Sequence, residues 1–206
     1  MVSITSLTST SEGKIKLIGL SSVSSATLRR AVKIAPVAAV QTEYSVFTRL
    51  IEGSAGTNLL DTCRELGVAL VICCPLGRGI LTSTFSKGDS VGDSTDSRPK
   101  VMPRFQEANR SQNTLIISQF KSFADNKGCS VSQLALAWLL KQGVDIFPIP
   151  GTKKMKYMEE NWASNEVILT DEEEKEIRAF GEMNELAGGA QPDAFEAYLF
   201  RDTKEE

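Results

Sequence analysis

The chain of 206 residues contains no histidine. That absence removes Ser-His-Asp and Cys-His nucleophilic machinery, and with it the mixed Cys/His sets that commonly hold zinc. Cysteine is scarce too: Cys63, Cys73, Cys74 and Cys129 are the whole complement, and no two have CxxC spacing. They read as reduced, buried thiols of a cytoplasmic protein, not as a disulfide framework or a metal site. No apolar run approaches bilayer-spanning length; the longest, around Val68–Leu76, is the length of a buried strand. The polar opening Met1–Ser11 lacks the positive region and apolar stretch of a secretory signal. Positive charge is not in excess either. A net charge of −3 gives no electrostatic case for nucleic acid or an anionic membrane.

What is present is a globular chain. Hydrophobic residues make up 41% and charged residues 24%, and the length suits one domain with a real core. Lys14–Leu20 reads as a strand, and Ser24 or Ser25 can cap a following helix in which Leu28, Ala31, Val32 and Ala35 recur at helical spacing. Pro36 ends that helix. Val37–Gln41 is a short apolar strand, Thr42–Thr57 a polar loop, and Leu59, Leu60, Cys63 and Leu66 mark one face of a helix that stops at Gly67. Val68–Cys74 has the continuous apolar character of a strand covered on both faces. Pro75–Arg110 is long, rich in Gly, Ser and Asp, and without periodicity, which is the mark of a functional lid or a disordered loop. Helices follow over Ser111–Lys127 and Ser130–Gln142, then a strand Val144–Ile149 and helices Lys154–Ala163 and Asp171–Met183. Thr170 and Glu173 stand at capping-box spacing before the last of these. The tail from Gly188 shows no clear element.

Four strand–helix units imply a parallel sheet with helices outside it. Periodicity leaves two closures open, a four-stranded open sheet or half of an eight-stranded barrel. The most informative segment is the strand Val144–Ile149 running into Pro150-Gly151-Thr152-Lys153-Lys154 and a helix carrying Glu159, Glu160 and Asn161. A strand end, a glycine, a hydroxyl, cations and a helix start coincide there, and together they make a phosphate cradle. Taken singly, the other polar positions have plainer readings: Ser21 as a helix-entry residue, Gln41 as a strand end, Gly77 and Gly79 as turn residues, Glu159 and Glu160 as a solvated helix face.

The ordered set is more specific than its parts. Gly13-Lys14-Ile15-Lys16-Leu17-Ile18-Gly19-Leu20-Ser21, Val40-Gln41-Thr42-Glu43-Tyr44-Ser45, Pro75-Leu76-Gly77-Arg78-Gly79, and Ile149-Pro150-Gly151-Thr152 through Glu160-Asn161 resemble the C-terminal half of an aldo-keto reductase. The match is closest to the microbial and fungal branch with a GTKK-type ending, and Gln133 to Trp138 supports it. The resemblance implies an α/β fold, a partial (β/α)8 TIM barrel of about four βα units. It divides the chain into a non-family, disordered polar segment 1–12, the half-barrel 13–185 and a tail 186–206. It also implies NADP as cofactor, a small aldehyde or ketone as substrate, and hydride transfer between them. Ser21 and Gln41 match the residues that hold the nicotinamide carboxamide. Leu76, Gly77 and Arg78 match the loop around the pyrophosphate. Gly151, Thr152 and Lys153 match the 2′-phosphate region, and Glu160 and Asn161 the adenine side.

Two departures from the family pattern carry consequences. Cys73 stands where the family places an aromatic ring against the nicotinamide. The Asp, Tyr, Lys and His that perform family chemistry lie on strands upstream of everything matched, and Tyr44, Tyr157 and Tyr198 fall in the wrong blocks to substitute. The expectation is therefore a truncated oxidoreductase chain, inactive or severely impaired in isolation, or alternatively a non-catalytic half-barrel that pairs with a partner. Unpaired strand edges would expose it to self-association.

Overall fold

The computed structural model describes residues 11–89, 95–196 and 198–203. Strands β1 (Ile18–Ser21), β2 (Val37–Glu43), β3 (Ala69–Cys73) and β4 (Ile146–Pro148) form one sheet in the order β1-β2-β3-β4, every pair parallel. Helix α1 (Ser25–Ile34) joins β1 to β2, and α2 (Leu59–Leu66) joins β2 to β3. The long third connection carries the short helices α3 (Ser83–Ser86) and α4 (Arg98–Val101), then α5 (Glu107–Lys127) and α6 (Val131–Lys141). Helices α7 (Met155–Trp162), α8 (Asp171–Met183) and the short α9 (Asp193–Glu196) follow β4.

Sheet order equals chain order, so right-handed crossovers put the connecting helices on one face. Burial agrees. Val40, Leu70 and Ile72 are fully enclosed on the helix side with Leu28, Leu59, Leu134 and Trp138. On the other face Gly19, Ser21, Gln41 and Phe147 are exposed, and Ala39, Ala69 and Val71 are half-buried. That bare face is in register: Ser21 opposes Gln41, Gln41 opposes Val71, and Val71 opposes Phe147. Among the described residues the sheet thus carries its connecting helices on one side only.

Helix ends follow local chemistry. The Ser24 hydroxyl caps α1 by accepting from the Thr27 amide at 3.0 Å. Full capping boxes open α6 (Ser130 with Gln133) and α8 (Thr170 with Glu173). Gly67 and Gly128 close α2 and α5 at φ 66° and 71°, the left-handed conformation that a residue with a Cβ adopts at a cost.

Several expectations are corrected. The first strand begins at Ile18, not Lys14, and β2 extends to Glu43. Polar Gln41 and Glu43 can sit in a strand because they fall on the bare face. The run Val68–Cys74 is not covered on both faces; Leu70 and Ile72 are enclosed while Ala69, Val71 and Cys73 are half-buried. Val144 lies outside β4 and is fully exposed, and within the strand Phe147 is 53% exposed. The expected aperiodic loop Pro75–Arg110 holds α3, α4 and the start of α5, which begins at Glu107. The disorder expected of residues 1–12 lies, for residues 1–10, outside the described residues.

The tail is tied down by polar contacts rather than by periodicity. The buried Asn113 amide brackets Ala187, donating to its carbonyl at 2.9 Å and accepting from its N–H at 2.7 Å. Gln191 donates to Glu43 at 2.7 Å and Arg78 to the Ala190 carbonyl at 2.8 Å. Farther along, the Thr203 amide donates to the Thr27 hydroxyl at 3.0 Å, and the Ser24 hydroxyl bonds Asp202. The last described residues thus clasp the first helix.

Candidate functional site

Parallel strands deliver their C-terminal ends, and the loops after them, to one side of the sheet. Between the ends of β3 and β4 lies a cavity of about 400 Å³. It is lined by Leu76 and Arg78 from the loop after β3, by Gly151 and Thr152 after β4, and by Glu160 and Asn161 from α7. Six of the residues singled out in the sequence therefore share one wall. Gly77 is buried just beneath the loop, where its φ of 53° and the Ile80 side chain, 2.7 Å from where a Cβ would sit, exclude any larger residue. Lys153 is exposed beside the cavity and is not among its lining residues.

Each side chain has local commitments. Thr152 accepts from the Lys154 amide at 3.2 Å, which shapes the turn into α7. No side chain caps α7, so its first-turn amides are free of side-chain partners. Ser130 donates to Glu160 at 2.6 Å, so one Glu160 oxygen is held against the start of α6. Arg78, with φ 58°, turns its guanidinium to Glu43 at 3.1 Å and to the tail.

Sequence reasoning missed Arg98, Ser132 and the cavity-facing role of Tyr157, all of which line the same space. Arg98 is ion-paired to Asp96 at 2.9 Å and donates to the Arg78 carbonyl, which joins the third connection to the loop after β3. Its guanidinium keeps the Asp96 carboxyl below the usual carboxylate range. For Arg98 the one advance signal was the length of the segment Pro75–Arg110, which read as a functional lid or a disordered loop and named no residue.

Ser21 and Gln41 lie elsewhere, side by side on adjacent strands of the bare face, and both are exposed. Beyond them opens a second cavity of about 770 Å³, lined by Ser22, Thr42, Glu43, Cys73 and Arg104 and roofed by the tail around Gly188 to Gln191. Burial lowers the Arg104 pKa, against the opposing pull of the Glu43 carboxylate, and the Arg78 charge adds to the lowering. Arg104 donates to the Thr48 hydroxyl at 2.8 Å and to the Gly188 carbonyl at 3.2 Å. Cys73 opposes Glu43 across β2 and β3. A hydrogen bond from the Cys74 thiol is the largest influence on Cys73 and brings its pKa down to about 7; the same pairing, with burial, pushes Cys74 well up. Among the described residues no cluster of His, Cys, Asp and Glu could hold a metal ion, and no helix is long and apolar enough to cross a membrane.

The three tyrosines have other employment. Tyr44 is fully buried, bonds Glu52, and packs its ring 5.6 Å from that of Trp138. Tyr157 lines the smaller cavity, and Tyr198 is exposed in the tail.

The family model described as "Aldo/keto reductase family" matches residues 5–182. "Aldo-keto reductase yakc [NADP(+)]" of Schizosaccharomyces pombe is 41% identical over 191 residues, covering 93% of this chain and 55% of that protein. "Aldo-keto reductase str7" of Strobilurus tenacellus is 41% identical over 177 residues, covering 86% and 52%. Among solved structures, the glycerol dehydrogenase AKR11B4 of Gluconobacter oxydans superposes with a TM-score of 0.73 at 26% identity, over 86% of this chain and 52% of that one. An aldo-keto reductase from Klebsiella pneumoniae, solved with NADPH, gives 0.61 at 20% identity over 85% and 51%, a likeness of fold alone. The chain spans about half the length of the curated relatives it matches.

Proposed function

Because the chain belongs to the aldo/keto reductase family, we propose that it is the nucleotide-holding half of an NADP(H)-linked carbonyl oxidoreductase. One observation carries the proposal: Leu76, Arg78, Gly151, Thr152, Glu160 and Asn161, drawn from two loops and a helix, converge on one cavity. Its volume, about 400 Å³, lies in the range of small-molecule sites and suits the adenosine end of a dinucleotide. The donor set suits it too, since Thr152, Lys153 and the uncapped start of α7 offer a hydroxyl, a cation and amides to a phosphate.

In this reading Thr152 and Lys153 hold the 2′-phosphate, Glu160 and Asn161 the adenine, and the Leu76–Arg78 loop the pyrophosphate. Ser21 and Gln41 hold the nicotinamide carboxamide; an amide side chain offers both a donor and an acceptor, and pairing with it fixes which ring face is presented. The nicotinamide, when bound, supplies the hydride, and the substrate class is a small aldehyde or ketone. The four unpaired cysteines are in keeping with a cytoplasmic location.

A second reading is a non-catalytic half-barrel that joins a partner. The bare face favours it: neither tyrosine nor lysine occurs among its outward residues, so the general acid of family chemistry has no seat there. On either reading the chain in isolation is inactive or severely impaired in carbonyl reduction.

Calorimetric titration with NADP+ and NAD+ tests the cofactor assignment. Lys153→Glu is expected to weaken NADP+ by roughly 10-fold or more, the value of a charge-assisted contact, and NAD+ far less. Equal loss for both would remove the 2′-phosphate assignment, and absence of saturable heat at millimolar nucleotide would remove the site.

A further inference from the structure

We propose that Arg78 couples the two cavities: a phosphate anion that it takes in the smaller one tightens residues 187–191 as a strap over the larger one. The proposal rests on the nucleotide-site reading and adds a regulation of that site.

Arg78 stands in a partition. It lines the smaller cavity and not the larger. Its acceptors do the opposite. Nη1 donates to Glu43 at 3.1 Å and to the Ala190 carbonyl at 2.8 Å, and both of those residues line the larger cavity. Gln191 completes the tie by donating to the second Glu43 oxygen at 2.7 Å. One nitrogen of the guanidinium thus carries both bonds. The group has five N–H donors in one plane, and among the described residues those on Nε and Nη2 meet no protein acceptor. That unused edge has the fork geometry that matches two phosphate oxygens. An anion can therefore be held without the tail being released.

The backbone marks the side chain as wanted there. Arg78 has φ 58°, a left-handed conformation that glycine adopts freely and arginine does not. Strain of this kind persists where the surroundings hold it. Here Arg98 donates to the Arg78 carbonyl, while Glu43 and Ala190 hold the guanidinium.

The strap has little else to keep it closed. Gly188, Gly189 and Ala190 have almost no side chain to bury, so polar contacts decide its position. Those contacts are Arg104 to the Gly188 carbonyl at 3.2 Å, the Arg78 bond to Ala190 and the Gln191 bond to Glu43. With the strap closed, an arriving anion finds its receptor already oriented, and the arginine loses no further rotamer freedom on binding. Linkage makes the effect mutual: whatever closure adds to anion affinity, the bound anion adds to closure.

Two probes separate this coupling from the cofactor assignment. NADP+ is one; inorganic pyrophosphate, which brings the anion without nicotinamide or adenine, is the other. Calorimetry of the full chain at up to millimolar ligand reads affinity, and hydrogen exchange followed by mass spectrometry reads closure. Either ligand, once bound, should slow amide exchange across 187–191. Gln191 lines the larger cavity and not the smaller, yet Gln191→Ala should weaken both ligands by roughly 5-fold, the lower end of coupling between linked sites. Unchanged affinity in that variant would give Gln191 a purely structural role and overturn the proposal. Arg78→Lys gathers the charge at one point that cannot span the partition, so it should bind the ligands more weakly and leave strap exchange unaltered by them. Strap exchange in the unsubstituted chain that stays constant or rises on binding also overturns the coupling; a rise would mean that anion and tail compete for Arg78. Pyrophosphate that binds and slows the strap, with no saturable heat from NADP+, leaves the coupling standing and the dinucleotide reading fallen. NADP+ that binds without slowing the strap does the reverse, and binding of neither overturns both.

Discussion

Cys73 and Cys63 have the same side chain and differ in the surroundings that govern its chemistry. Cys63 is fully buried in α2, and burial above all pushes its pKa up to about 12. Cys73 opens on the larger cavity and ionises near 7, chiefly because Cys74 donates to it. The thiolate is the reactive form, so its fraction, and the rate, rises as pH passes upward through the pKa. Mild alkylation followed by peptide mass spectrometry should label Cys73 first, with a rate transition near pH 7, while Cys63 stays unlabelled in the folded protein. Cys74→Ala removes the donor and should move that transition up toward the ~8.5 of a free thiol. An unmoved transition would assign the effect to Arg78 instead. In the sequence the two adjacent cysteines were visible and read as inert. Cys74 has a left-handed backbone, φ 51°, which no periodicity announces. Thr152 was legible because strand, glycine, hydroxyl and helix start are contiguous; Arg98 was not, because fifty residues of chain separate it from the glycine whose cavity wall it shares.

Capped helices were the most legible elements and uncovered strands the least. The Thr170–Glu173 box was readable from spacing alone, and α8 has the bounds that spacing gave it. The box at Ser130 holds more than its own helix, since its hydroxyl accepts from the Gln133 amide at 3.2 Å and donates to Glu160 on α7 at 2.6 Å. Ser130→Ala should therefore lower stability by about 1–2 kcal/mol, the upper range for losing an N-cap. The check is a lower urea midpoint with an unchanged slope. A loss under ~0.5 kcal/mol would mean water replaces both bonds. Strand β4 shows the limit of pattern reading. An apolar run is the same run whether a neighbour covers it or not, so nothing in the sequence marks Val144 and Phe147 as exposed.

At the scale of the molecule, the parallel sheet and its one-sided helices follow from four strand–helix alternations, and those were legible. The tail was not, because polar contacts hold it and such contacts leave no periodic trace. Asn113 is the test. Asn113→Ala deletes three hydrogen bonds at a fully buried site, two of them to Ala187. It should cost roughly 1–3 kcal/mol overall and accelerate amide exchange across 185–191 well beyond the rest of the chain. Uniform acceleration would show that the tail is no separate latch. The clasp at the far end has a temporal meaning. Because strands are laid down in sheet order, each can dock on its predecessor as it leaves the ribosome, without waiting for sequence still to come. Helix α1 is the exception: its Ser24 and Thr27 partners, Asp202 and Thr203, lie 178 and 176 residues farther along, so that helix is fastened only after the whole sheet has been made.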